Sequence, residues 1–183
     1  MVLILLTIAL FVLCGDSLAY AAAPYHIGIV TGTVSQGEDQ LRGAERLIEE
    51  YGDETKGGII KHVTYPDNFM QEMETTISQI ASLADDPLMK AIIVNEAVPG
   101  TTEAFRRVKD KRPDILCFAG EPHEDPAVIC SIADACANLN DIYKGYLIPV
   151  AAKMMGATDF VHISFPRHMS YELLSRRRNI MEA

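Results

Sequence analysis

A doubly wound α/β lobe built on a parallel sheet is the fold class that three observations predict. Short apolar runs without polar alternation recur at residues 27–30, 91–94 and 115–119, as in parallel strands covered on both faces. Amphipathic helical patterns separate these runs, and parallel strands require such crossovers. Polar and glycine residues collect directly after the runs, at the carboxyl edge of the expected sheet, where open α/β sheets bind their ligands.

The 183 residues suffice for one domain with a sizeable core, and 49% of them are hydrophobic, so the chain is neither disordered nor fibrous. The formal net charge of -9 argues against nucleic acid as a partner, which calls for a basic surface. The basic cluster Arg176-Arg177-Arg178 lies near the end of a helical pattern and reads as a solvated face complementing a helix C-terminus.

Residues 1–23 read as a signal peptide. The stretch 2–13 is apolar apart from Thr7, Gly15-Asp16-Ser17 breaks it, and Ala19-Tyr20-Ala21 supplies a cleavage-type site ahead of Pro24. The run is short for a membrane span, and no Lys or Arg precedes it, which leaves an uncleaved anchor as the alternative. The expected location is the periplasm or the outer face of the cell membrane. A lipid anchor at Cys14 is disfavoured because Leu13, not a small residue, precedes it. Cys117, Cys130 and Cys136 are an odd set without a C-x-x-C. All three read as structural, Cys117 and Cys130 lying in apolar strand-like runs, with a Cys130–Cys136 or Cys117–Cys130 bridge as the alternatives.

Taken in order, residues 27–30 form the first strand and 31–37 a Gly- and hydroxyl-rich turn. Ser35 with Glu38 fits a capping box opening the first helix, whose apolar stripe is Leu41, Ala44, Leu47, Ile48 and Tyr51; Gly52 stops it. Residues 59–65 are a second strand. Phe69, Met73, Ile77, Ile80 and Ala84 mark a second helix, ended by Asp85-Asp86-Pro87. The third strand is 91–94. Pro99-Gly100-Thr101 opens a third helix, which closes at Lys109, Lys111 and Arg112. Residues 115–119 are the fourth strand, 120–126 a loop, and 127–132 a fifth strand. Residues 140–155 are apolar and helical, with Pro149 either kinking the helix or lying near its start. A sixth strand at 160–164, a loop at 165–168 and a last helix from Ser170 complete the pattern. Residues 24–139 thus form one lobe, and 140–183 a crossover with the first strand and helix of a second lobe. A lone strand and helix form no core of their own, so the chain reads as a piece of a longer two-lobe protein.

Several stretches carry a resemblance. Ile27-Gly28-Ile29-Val30-Thr31, Leu41-Arg42-Gly43-Ala44-Glu45 and Ala91-Ile92-Ile93-Val94-Asn95 resemble the first lobe of the type I periplasmic-binding-protein superfamily. Residues 144–163 resemble that superfamily's crossing into its second lobe. More narrowly, the chain resembles a bacterial family of periplasmic-binding-like proteins whose function is not established. The resemblance implies two lobes that close on a small solute, with a membrane transporter or sensor as partner.

The expected ligand-binding residues stand at the strand ends: Thr31, Thr33 and Gln36 after the first, Tyr65 after the second, Asn95 and Glu96 after the third, Glu121 and His123 after the fourth. A cleft needs a few such convergent polar groups among apolar walls. Gly32-x-x-x-x-Gly37 lacks the Lys-Ser/Thr of a phosphate loop. Acidic residues at the helix starts would repel phosphate. A polar, non-phosphate solute is therefore expected. The spacing of Glu121 and His123 matches no metal-ligand signature, and no serine-elbow, HExxH or Cys–His pattern occurs. No metal, cofactor or catalytic residue is assigned. The functional expectation is a solute-binding protein serving an ABC-type transporter. The alternatives are a ligand-sensing regulatory module on the same fold, and a small-molecule enzyme.

Overall fold

The computed structural model describes residues 24–163 and 180–181. The expected leader, Cys14, the loop at 165–168 and the start of the last helix lie outside the described residues. Five parallel strands make one sheet in the order β2-β1-β3-β4-β5: β1 (His26–Thr31), β2 (Ile60–Thr64), β3 (Met89–Val94), β4 (Leu116–Gly120) and β5 (Ala135–Ala137). The crossover helices are α1 (Val34–Tyr51), α2 (Met73–Ser82) and α3 (Thr101–Lys111). The predicted α/β class holds.

Strand β1 is interior, its apolar run paired on both sides, with Val30 opposite Val63 of β2 and Val94 of β3. The core is uneven across the sheet. On one face Val30, Ile92 and Val94 pack against Ile77 and Ile80 of α2 and Ala104, Phe105 and Val108 of α3. On the other, a smaller cluster joins Ile29 and Ile60 to Ala44 of α1. Leu116 of β4 stays 58% exposed.

The chain reverses where glycine permits. Gly52 ends α1 with φ 81°, and its N–H donates to the Ile48 carbonyl. Gly100 opens α3 with φ 101°.

Several local expectations fail for identifiable reasons. Residues 127–132 are not a strand. Asp125 accepts a hydrogen bond from the Ala127 N–H at 2.9 Å, Pro126 occupies the first turn, and the short helix α4 (Pro126–Ile129) forms. A side-chain cap and a proline at N1 outweigh an apolar run. The fifth strand is the three-residue β5 further on. The Ser35 capping box is absent: Thr33 is the N-cap residue, no side chain caps the helix, and Gly37 departs from helical angles at φ -163°, ψ 83°. Ser35 bonds Thr33 instead. Residues 160–163 form no strand. Helix α5 (Asp141–Met154) runs through Pro149 rather than starting at it. Cys130, at the end of α4, is bonded to Cys136 of β5, while Cys117 is a buried free thiol.

Helix α5 presents Tyr143, Tyr146 and Leu147 to solvent. An apolar groove of about 520 Å³ runs along it, lined by Leu139, Tyr143, Leu147 and Ile148 among others. Its lining includes none of the polar residues expected at the strand ends.

Candidate functional site

With the order 2-1-3-4-5, the chain reverses winding direction between β1 and β3, and the crevice at their carboxyl ends is the place such sheets offer a ligand. Glu96 stands just past the end of β3. Its Oε1 accepts from His123 Nε2 at 2.8 Å. Its Oε2 accepts from the Tyr65 hydroxyl and from Gln40 Nε2, both at 3.2 Å. The Glu96 and His123 side chains are 22% and 19% exposed, and Tyr65 is 1% exposed. Four segments therefore converge on one carboxylate: helix α1 and the loops after β2, β3 and β4.

Backbone contacts set this geometry. The Ala97 N–H donates to the Gly120 carbonyl at 2.8 Å, and the His123 N–H to the Ala97 carbonyl at 2.9 Å. These bonds zip the loops after β3 and β4 together and return His123 to Glu96. Gly120 makes the approach possible, since a Cβ there would lie 2.3 Å from the Asn95 carbonyl oxygen. Glu121 turns the chain with φ 36°, a strained value for a residue with a side chain. Its N–H bonds the Ala137 carbonyl, which holds the turn.

Burial pushes the Glu96 carboxyl up, but the His123 hydrogen bond and charge, helped by Gln40 and Tyr65, bring it below its ordinary value. Burial, reinforced by the neighbouring Glu96 charge, pushes the Tyr65 phenol well up, so it is a permanent donor. Asp67 is held low by the Thr33 and Ser35 hydroxyls.

The predicted residues divide into four groups. Tyr65, Glu96 and His123 come together. Thr33 and Gln36 meet a different partner: the Thr33 hydroxyl donates to the Asp67 carboxylate, and Gln36 Nε2 to the Asp67 carbonyl at 2.8 Å. They tie the loop after β1 to the loop after β2. Thr31 is buried, its hydroxyl on the Gly32 carbonyl and against His62 Nε2 at 2.9 Å, so its side chain serves the fold. Asn95 and Glu121 are exposed at the same edge. Gln40 was not foreseen. Its spacing from Gln36 is no guide, because the non-helical Gly37 lies between them, and the two amides reach different partners, Asp67 and Glu96.

Two helix starts are already filled. Glu124 accepts from the Gly100 N–H at 3.0 Å and from the Thr102 N–H and hydroxyl at 2.7 Å each, and so occupies the N-terminus of α3. Asp125 caps α4. Among the described residues, no three His, Cys, Asp or Glu side chains converge as a metal-binding set.

A family model described as a protein of unknown function, DUF3798, matches residues 25–183. The chain belongs to the DUF3798 family. It is 46% identical over 165 residues to an uncharacterized protein of Treponema pallidum, spanning 89% of this chain and 75% of that one. A second uncharacterized protein of the same organism is 48% identical over 102 residues, 56% of this chain and 47% of that one. Among solved structures, a provisionally assigned transcriptional regulator from Clostridium difficile 630 superposes with a TM-score of 0.70 and 26% identity, covering 88% of this chain and 47% of that one. The DUF3798 chain thus spans about half the length of that structure.

Proposed function

We propose that this DUF3798 chain forms one wall of a binding site for a small polar, non-phosphate solute, as the first lobe of an exported, periplasmic-binding-like protein. The observation that carries the reading is the convergence of Gln40, Tyr65, Glu96 and His123 in the β1/β3 crevice. A half-buried carboxylate held by three donors is a preformed polar focus of the kind small-ligand clefts use. The chain's own carboxylates cap α3 and α4, which supports exclusion of phosphate from those two helix starts; the expected acidic start of α1 is not found, since its first turn holds no Asp or Glu. The mechanism is reversible closure of a second wall over this one, with handover to an ABC-type membrane transporter; binding, not turnover, is its output.

The matched structure supports a second reading, a ligand-sensing regulatory module built on the same lobe. Both readings need the solute site; they differ in what the closed form engages. A thermal-shift screen of the full mature protein against a solute library tests the shared claim, since a ligand that binds the native state raises the melting temperature with concentration. Consumption of a solute without such a shift would replace binding by an enzymatic role. Sequence-specific DNA retention by the full protein would favour the regulator.

A further inference from the structure

Three observations at the crevice bear on the charge of its ligand. The loops at residues 31–37, 65–72, 95–100 and 120–125 contain no lysine or arginine and six carboxylates: Asp67, Glu72, Glu96, Glu121, Glu124 and Asp125. The chain's own carboxylates fill the starts of α3 and α4, while the start of α1 carries no side-chain cap. The partner of Glu96 Oε1 is the His123 imidazole, on a loop residue whose side chain still reaches solvent.

Gln40 adds a directional element. Its Nε2 is committed to Glu96, which fixes the amide orientation, because the opposite flip would set two acceptors against each other. Its Oε1 is buried and has no partner. A buried acceptor without a donor costs free energy that a new donor would recover.

We propose that the crevice takes a solute bearing an ammonium or guanidinium group, which displaces His123 from Glu96 Oε1 and donates a second hydrogen bond to Gln40 Oε1. The proposal rests on the solute-binding reading above. Both groups carry several N–H donors and a full positive charge, so one group can satisfy both acceptors. The short contact to His123 serves as the internal substitute that keeps Glu96 satisfied when no solute is present. A bare divalent ion suits the site less well, since three metal-ligating side chains do not converge among the described residues.

The test is calorimetry and thermal shift on the full mature protein at neutral pH. Putrescine, agmatine, L-lysine and L-arginine form the cationic set; 1,4-butanediol, glucose, succinate and L-glutamate are the neutral, anionic or net-anionic comparison. At least one cationic probe is expected to bind and raise the melting temperature. Glu96→Gln should weaken it at least about tenfold, equivalent to about 1.4 kcal/mol, with Gln40→Leu weakening it severalfold and His123→Ala leaving it as tight or tighter. Urea midpoints of the three variants establish that each is folded. Cation binding unchanged in Glu96→Gln, or abolished in His123→Ala, overturns the assignment. Binding confined to the comparison set overturns it while leaving the solute-binding reading standing. Absence of any binding by either set up to about 10 mM, a limit near the weakest affinities of interest, counts against both.

Discussion

The Glu96–His123 contact offers the most direct measurement of what holds the four segments together. A double-mutant cycle of Glu96→Ala, His123→Ala and the pair isolates their coupling. The His123 bond is short, at 2.8 Å, and charge-assisted bonds of this kind are worth about 1.5–3 kcal/mol. Each side chain keeps about a fifth of its surface in water, so the coupling belongs at about 1–2 kcal/mol after screening. The single changes differ. His123→Ala leaves Glu96 with Gln40 and Tyr65 and should cost about 1–2 kcal/mol. Glu96→Ala also strips the acceptor from the buried Tyr65 hydroxyl and should cost about 2–4 kcal/mol. The assay is urea unfolding followed by circular dichroism at pH 6 and again at acid pH. The sign follows from the depressed Glu96 carboxyl. A depressed pKa contributes stability that is present above the unfolded value, 4.5 for glutamate, and is lost as pH falls through the folded one. The coupling should therefore be full at pH 6 and shrink below pH 4.5. A coupling under about 0.3 kcal/mol, the ordinary additivity error, would refute the reasoning, as would one that persists unchanged in acid.

Three further outcomes are expected. Reduction, or Cys136→Ser, opens a loop of sequence separation 6 and should lower the unfolding free energy by about 2 kcal/mol from loop entropy, read by urea titration with and without reductant. Burial pushes the Cys117 thiol up to about 11; iodoacetamide at pH 8 should spare it in the native protein and label it in concentrated urea. Its raised pKa also means that stability is full below 9, the ordinary value, and declines as pH rises toward 11. Gly120→Ala would place a Cβ 2.3 Å from the Asn95 carbonyl oxygen and should cost about 1–3 kcal/mol by overpacking. Gly43→Ala, with nothing within 4 Å inside α1, should instead stabilise by about 0.5–1 kcal/mol. Equal melting temperatures for the two variants would contradict the packing argument.

The central sheet was legible because its signal is redundant. The runs at residues 27–30 and 91–94 are apolar at every position, as in a strand between two covered faces, and helical patterns flank them. The signal failed where a short-range interaction decides. At residues 127–132 an apolar run looked like a strand, but Asp125 and Pro126 start a helix before the run begins, and β5 is read from just three residues, Ala135-Cys136-Ala137, which carry no distinctive pattern. The Cys130–Cys136 pairing follows from that same shift. Once 126–129 is helical, Cys130 leaves the sheet and its Cα lies 5.7 Å from that of Cys136, well within disulfide reach.

The site was legible by position and not by partnership. Strand ends can be counted in a sequence, so Tyr65, Glu96 and His123 were reachable as polar residues following apolar runs. Which hydroxyls face inward was not. Thr31 is the last residue of β1, and the two-residue alternation of a strand turns it toward His62 of the neighbouring strand. Thr33, two residues past the strand, is free to reach Asp67. Gln40 escaped because it sits inside a helix, where a lone amide reads as solvated surface. Its role depends on Gly37: the non-helical angles there interrupt α1 just before the turn that carries Gln40 to Glu96. A helix continuous from Val34 would follow a different path past the crevice. Gly37→Ala therefore tests the local architecture as well as the backbone: extended angles such as φ -163° are open to alanine, so folding should survive. If the helix then becomes continuous, the Gln40–Glu96 bond should be lost, visible as a shift of the Gln40 side-chain amide resonances. An unchanged amide would mean that Gln40 is positioned by the sheet edge and not by the interruption in its own helix.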